Sequence, residues 1–274
     1  MADNHDVVDH DVDGLFVREV SPATQQRRDC PLVFIHGGFH GWWTWERWQP
    51  FFAELGWRTY ALSLPGHTGS RKVPDPEFAA LDLTDYADAV TRTLDWLHEP
   101  AILVGHSMGG IVAQLVAQVT PPSALVLVAS GRTRRGEKFR PDVPLGQPIT
   151  ISREEARQNF FHVIGDEEFD RVYRRLCPES PAALNDLADS GAFDAPRFEC
   201  PVLVLTAEHD REHVSELADH ATRSYQATRA VVADAGHDLM LDPRWLDAAT
   251  YLHGWLVAHV SSAAVPTVRV EVRD

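Results

Sequence analysis

"AILVGHSMGGIVAQLVAQ", residues 101–118, decides how the rest of the chain is read. A short continuous apolar run meets Gly105-His106-Ser107-Met108-Gly109, and a second, longer apolar stretch follows. The first run reads as a buried strand, and 108–119, almost wholly apolar, as a buried helix. A strand turning abruptly into a helix crowds the corner residue and forces it into an unfavourable backbone conformation. The residues two before and two after must then lack side chains, which is where Gly105 and Gly109 stand. A serine at that corner is exposed at the carboxyl end of the strand, beside the free amides of a helix N-terminus. Ser107 is therefore a candidate nucleophile. The bland alternative, a loop that needs flexible residues, is weighed against the rest of the chain.

Outward from this stretch, "PLVFI" (31–35), "RTYAL" (58–62), "ALVLVA" (124–129), "PVLVLT" (201–206) and "RAVVA" (229–233) repeat the continuous apolar pattern. Such runs mark strands covered on both faces, as in a parallel sheet. Between them lie helical patterns. Residues 82–98 carry Leu83, Tyr86, Val90, Leu94 and Leu97 at helical spacing, and a last helix is expected over 243–259, capped by Asp242 with Pro243 in its first turn. The series implies a doubly wound, mostly parallel α/β sheet. Upstream, "DVDGLFVREV" (11–20) holds an Asp-Gly turn signal and predicts an antiparallel hairpin.

From Gly131 to Pro196 no strand run appears. Three helix starts stand there instead: Ser152 with Glu155 as a capping box, Asp166 ahead of Phe169, Val172, Tyr173 and Leu176, and Ser180-Pro181 ahead of Leu184 and Leu187. At ~65 residues this is too long for an ordinary crossover, and it reads as a helical lid inserted between two late strands. The expected divisions are a leader and hairpin (1–30), a first core part (31–130), the lid (131–196), a second core part (197–260) and a tail (261–274). In the tail Val268, Val270 and Val272 alternate with charges, as in an edge strand or partner-binding arm; the composition equally fits disorder.

Composition narrows the function class. The chain has 274 residues, 44% hydrophobic and 24% charged, with a formal net charge of −15. Such an acidic surface argues against a nucleic-acid footprint and against anionic membranes. No apolar run approaches the ~18 residues of a membrane span. "MADNHDVVDHDVDG" lacks a signal peptide's basic-then-apolar pattern, and His5 and His10 within it read as a solvated leader. Cys30, Cys177 and Cys200 form neither a metal-ligand pattern nor a disulfide framework; Cys30 and Cys200 read as buried thiols suited to a reducing cytoplasm. No metal or organic cofactor is implied, and nothing fixes the oligomeric state.

A nucleophilic serine needs a base and an acid that orients it, expected here in the order Ser, acid, His. "AEHDREHV" follows the run 201–206 and "DAGHDLM" follows 229–233, so both deliver side chains to the edge that carries Ser107. His237 is the candidate base. Asp210 is preferred as the acid over Glu208, and over Asp238, which would point away from its neighbour's ring. Oxyanion amides are expected from Met108 and from "VFIHGGFHGWW", where Gly38, or else Phe39, is the second donor. Phe160, Phe161, Phe169 and Tyr173 are candidate pocket walls, with His40 near the rim and Trp42, Trp43 and Trp45 in the core. Arg132, Arg134 and Arg135 suit either an acidic substrate or a solvated loop.

With these segments together, the chain resembles the α/β-hydrolase superfamily over residues 28–260. "HGGFHGWWTWERWQPFFAELGWRTYALSLPGHTGS" with "GHSMGG" is most similar to small cytosolic esterases, a group that includes plant methyl esterases and hydroxynitrile lyases. The resemblance implies Ser107, Asp210 and His237 as triad, Gly38 and Met108 as oxyanion donors, and a small-molecule ester as substrate. Relatives that open epoxides carry aspartate as nucleophile, and the lyases carry lysine beside the histidine. Here those positions are Ser107 and Asp238, and the lysines are Lys72 and Lys138. Thioester, lactone or C–C hydrolysis, cofactor-free peroxide chemistry and a small-molecule receptor remain alternatives.

Overall fold

Six of the apolar runs become parallel strands of one sheet. The structure is a computed structural model describing residues 5–23, 27–161, 163–193 and 197–260. Its first half runs β1 (His5–Val12), β2 (Leu15–Pro22), β3 (Leu32–Ile35), α1 (Trp48–Glu54), β4 (Thr59–Leu62), α2 (Asp75–Phe78), α3 (Leu83–Leu97), β5 (Ile102–His106) and α4 (Met108–Val119). Then follow β6 (Ala124–Val128), α5 (Arg153–Asn159), α6 (Asp166–Tyr173), α7 (Pro181–Ala188), β7 (Val202–Ala207), α8 (Glu212–Tyr225), β8 (Thr228–Val232) and α9 (Trp245–His259). The strand order is β1-β2-β4-β3-β5-β6-β7-β8, with β4 to β8 parallel and the first two strands antiparallel.

This order places the winding reversal at β3 and β5. The chain leaves β3 for β4 on one side and later returns to β3's other side as β5. The connections depart in opposite directions, so a crevice opens at the carboxyl ends of these two strands. The loop 36–41 and the corner at Ser107 both lie there.

Alternate residues of each central strand feed opposite faces. Val33, Ile35, Leu103, Leu125 and Leu127 join one core cluster with α3 and α4, while Leu32, Phe34, Ile102, Val104 and Val126 join the other with α1 and α9. Both faces are covered, which explains the continuous apolar runs. The edges depart from that pattern. Val231 of β8 is 57% exposed, so 229–233 is a half-open edge strand rather than a buried one.

The hairpin forms as expected. Asp13 and Gly14 both take positive φ, at 53° and 84°, in a two-residue connection between Val12 and Leu15. That is the mirror-image turn whose twist suits paired strands. Residues 5–10, expected as a solvated leader, instead extend strand β1, and His10 faces Glu19 at 2.9 Å across the pair. Charged β1 residues leave an edge unsuited to further pairing.

The insertion folds as its helix starts imply, with a capping box at Ser152 and Glu155 and a cap at Ser180. Ala156, Phe161, Ile164, Phe169 and Val172 pack on Trp43 and Leu241 as a third, smaller core. Helix α9 begins at Trp245, two residues later than expected. Asp242 is used otherwise, accepting from the amides of Gly236 and Arg244, both at 2.8 Å. The three cysteines are free and half-buried rather than fully buried. The tail after residue 260 lies outside the described residues. No helix among them is long and apolar enough to cross a membrane.

Candidate active site

Ser107 sits at the corner between β5 and α4 with φ 50° and ψ −118°, a region side-chain-bearing residues rarely occupy. A Cβ on Gly105 would lie 2.2 Å from the Gly109 carbonyl oxygen, and one on Gly109 would lie 2.3 Å from that of His36. Neither obstacle can move without shifting the backbone. The strain at Ser107 costs about 1–3 kcal/mol. Full burial of Ile102, Leu103 and Val104 stabilises the same strand by roughly 4–9 kcal/mol, so the corner holds. The Ser107 amide donates to Val128 at 3.0 Å, and the Ser130 hydroxyl donates to the Ser107 carbonyl at 2.7 Å.

Loops after β7 and β8 bring Asp210 and His237 to this corner. His237 Nδ1 lies 3.0 and 2.9 Å from the two Asp210 oxygens, and Nε2 lies 3.0 Å from Ser107 Oγ. With Nδ1–H donating to the carboxylate, Nε2 is left to accept the serine proton. Burial raises the Asp210 carboxyl, but the charge and hydrogen bond of His237, with the Arg211 amide, outweigh it and hold the group below its ordinary value. The rival acids are engaged elsewhere. Glu208 is exposed and accepts from the Asp234 amide at 3.0 Å.

Asp238 points away from the ring of His237, as its position implied, into a buried histidine cluster. Its oxygens lie 3.4 Å from His40 Nε2 and 3.3 Å from His106 Nε2. Burial raises its carboxyl, yet His40, His106 and His237 together bring it down to about 2. Burial lowers His40, but Asp238 and the Gly38 carbonyl outweigh it and raise the group. Burial instead pushes His106 down to about 3, with Asp238 offsetting part of the effect. His106 is thus neutral beside His237, their ring centres 5.0 Å apart, and puts no second positive charge next to a forming imidazolium.

The Gly38–Phe39 peptide is pinned at both ends. His40 Nδ1 donates to the Gly38 carbonyl at 2.6 Å, and the Phe39 amide donates to Glu179 Oε2 at 3.1 Å. Gly38 and Phe39 both line the cavity beside Ser107, but the amide of Phe39, the alternative oxyanion donor, is committed to a carboxylate. Met108, first residue of α4, has no intrahelical acceptor for its amide. Glu179 is fully buried and accepts from Tyr86 (2.7 Å), the Ser180 amide (2.8 Å) and His67 (3.0 Å) as well. No spacing in the sequence marks this residue.

Ser107 opens on a mainly apolar cavity of about 240 Å³. Of the expected pocket residues, His40 and Phe160 line it, and Phe160 stacks on His237 with ring centres 5.7 Å apart. Phe161, Phe169 and Tyr173 do not. Phe161 and Phe169 are buried in the third core, and Tyr173 packs against that core with its hydroxyl on the Ile151 carbonyl at 3.2 Å. Phe169 and Tyr173 lie on α6 and Phe161 follows the end of α5, and all three turn toward the body rather than the cavity. Arg132 is buried against Tyr225 and the Phe193 carbonyl, and neither it nor Arg134 nor Arg135 lines the cavity. Arg140 and Arg211 line it instead. Arg211 directly follows Asp210, a juxtaposition the sequence displays. Glu208, His209 and Asp234 bring ligand atoms within 4.8 Å of one another, but all three are exposed and away from the cavity.

Comparison with known proteins agrees with this fold. An alpha-hydroxynitrile lyase of Arabidopsis thaliana is 35% identical over 99 residues, covering 35% of this chain and 37% of that protein. The chain thus matches little more than a third of that relative's length. A pimeloyl-acyl-carrier-protein methyl ester esterase of Pectobacterium carotovorum is 27% identical over 247 residues, 83% of this chain and 86% of that one. The crystal structure of an Arabidopsis methylesterase shares the fold, with a TM-score of 0.68 at 20% identity over 82% of this chain and 98% of that one. Residues 32–249 match the alpha/beta hydrolase family, and the chain belongs to it.

Proposed function

We propose that the protein is a serine hydrolase that cleaves a small-molecule carboxylic ester through an acyl-enzyme. The observation that carries this reading is the unbroken chain Asp210–His237–Ser107, at 2.9 and 3.0 Å, opening on an apolar cavity. His237 takes the Ser107 proton as Oγ attacks the ester carbonyl, and Asp210 stabilises the imidazolium that forms. The amides of Gly38 and Met108 receive the tetrahedral oxyanion, each worth about 10²–10³ in turnover. His237 then gives its proton to the leaving alcohol and activates the water that releases the acid.

In the same reading the insertion 131–196 is a lid, since Phe160 rests on the ring of His237. Asp238 stands where a lyase of the related group has lysine, and its negative charge beside the site opposes stabilisation of a cyanide leaving group. Steady-state hydrolysis of a panel of methyl esters, thioesters and lactones tests the proposal, with Ser107→Ala alongside. Ester turnover that disappears in Ser107→Ala is the expected result. Equal rates for both proteins on every ester would overturn it, and a thioester-only activity would change the substrate class.

A further inference from the structure

The cavity wall carries two guanidinium groups, those of Arg140 and Arg211. In a chain with 40 acidic and 25 basic residues, an arginine finds a carboxylate easily. Arg18, Arg47, Arg58, Arg153, Arg171 and Arg175 all have one within ion-pair distance. Among the described residues Arg140 and Arg211 have no such partner. The acids nearest in effect are committed: Asp210 to His237, Asp238 to its histidines, and Asp142 to Lys138 at 2.8 Å. Glu155 also lines the cavity, but its carboxylate is held by the Ser152 amide and hydroxyl at 3.0 and 2.6 Å.

Neither arginine is saturated by what it does touch. Arg211 Nη1 reaches Asn159 Oδ1 at 3.4 Å, and its Nε is buried with no hydrogen-bond partner. Arg140 donates to two neutral carbonyls, Pro141 at 2.9 Å and Leu184 at 2.5 Å. Their guanidinium carbons lie 5.8 Å from the Phe160 ring and 5.9 Å from the Phe139 ring, so aromatic wall and cation alternate around the space. Burial pushes both groups below their ordinary values, as expected for cations short of an anion. Arg211 also stands at the N-cap position of α8, where the helix dipole opposes a positive charge. Val143, Ile149, Ile151, Leu184 and Leu187 add an aliphatic part to the wall.

Given the esterase reading, on which this rests, we propose that the substrate is an ester with an apolar acyl chain and an anionic group, a carboxylate, held by Arg140 and Arg211. An apolar chain fits the aliphatic walls, and a distal carboxylate supplies the charge-assisted hydrogen bonds that the two guanidiniums lack. Hydrolysis then releases a dicarboxylate. Repulsion from the acidic surface falls on the incoming anion, so selectivity rests on the cavity rather than on steering.

The test compares the monomethyl esters of succinate through suberate with methyl butyrate through methyl octanoate, their neutral counterparts. Wild type is expected to favour the best half-ester by about tenfold or more in kcat/KM. Arg140→Gln and Arg211→Gln should each bring that ratio toward one. Arg211 adjoins Asp210, so the ratio rather than the rate is the readout, and Arg140, remote from the triad in sequence, supplies an independent variant. Turnover of both ester classes without a preference, or a preference that survives both substitutions, overturns the inference and leaves the esterase reading standing. Turnover of neither class overturns the esterase reading. In that event calorimetry with adipate decides: binding to wild type that is lost in Arg140→Gln supports the anion site, and no binding or equal binding refutes it.

Discussion

Glu179→Gln isolates the buried acid that holds the Gly38–Phe39 loop. The carboxylate accepts four hydrogen bonds, from Phe39 (3.1 Å), His67 (3.0 Å), Tyr86 (2.7 Å) and Ser180 (2.8 Å). Gln keeps the shape but replaces one oxygen with an NH₂ group, so two of the four donors face another donor. It also removes the negative charge next to buried His67 Nε2. Leaving two buried donors without an acceptor costs about 1–3 kcal/mol each, so a loss of about 3–5 kcal/mol is expected. For a chain of this size each kcal/mol moves Tm by roughly 2–4 °C, so a fall of about 6–20 °C is expected. The substitution also frees the Phe39 amide and unpins the Gly38–Phe39 peptide, so ester kcat should fall while KM changes less. Thermal unfolding followed by circular dichroism, with kinetics on the same preparation, gives both quantities. A Tm within about 2 °C of wild type would refute the account of Glu179 as a buried anchor held by four hydrogen bonds.

Four other expectations follow from the structure. Gly105→Ala places a methyl 2.2 Å from the Gly109 carbonyl oxygen and should cost about 3 kcal/mol or more by chemical denaturation. Gly254→Ala, in a helix with no atom within 4 Å of the added carbon, should stabilise by about 0.5–1 kcal/mol. Asp210→Asn should lower kcat by about 10⁴, whereas Asp238→Asn should show mainly as lost stability, because only Asp210 contacts His237 Nδ1. Acid should weaken the fold before its carboxylates titrate. His36 and His106 are buried and held below the ordinary 6.5, so the unfolded chain binds protons there that the fold excludes. Their stabilisation is complete above pH 6.5 and declines as pH falls toward about 3 for His106, by up to about 1.4 kcal/mol per pH unit and group. Asp238 is depressed to about 2, so its contribution is lost only as pH falls toward that value, while raised His40 contributes fully below 6.5. A Tm that stayed level from pH 6.5 down to about 4.5 would contradict this assignment.

Much of the fold was legible because strand burial on both faces leaves an unbroken apolar signature, seen in Val33, Phe34, Leu103 and Leu125. The elbow was legible because its geometry admits only glycine at 105 and 109. What escaped has physical reasons too. Residues 5–12 are polar because they form an edge strand facing solvent, and an edge carries little hydrophobic pattern. The aromatic residues of the insertion signal burial in the sequence, but not against what. Phe160 met His237, while Phe161 and Phe169 met Trp43. Glu179 and the presence of both Arg140 and Arg211 on the cavity wall arise from segments far apart in sequence, so no local spacing could announce them.

Labelling with a fluorophosphonate tests the central claim most directly, because the reagent forms a phosphorus–oxygen bond only with an activated serine. The account predicts one label per chain, mapped by mass spectrometry to the peptide containing Ser107, absent in Ser107→Ala and slowed by about 10³ or more in His237→Ala. No labelling of wild type, or a label on another residue that persists in Ser107→Ala, would contradict it.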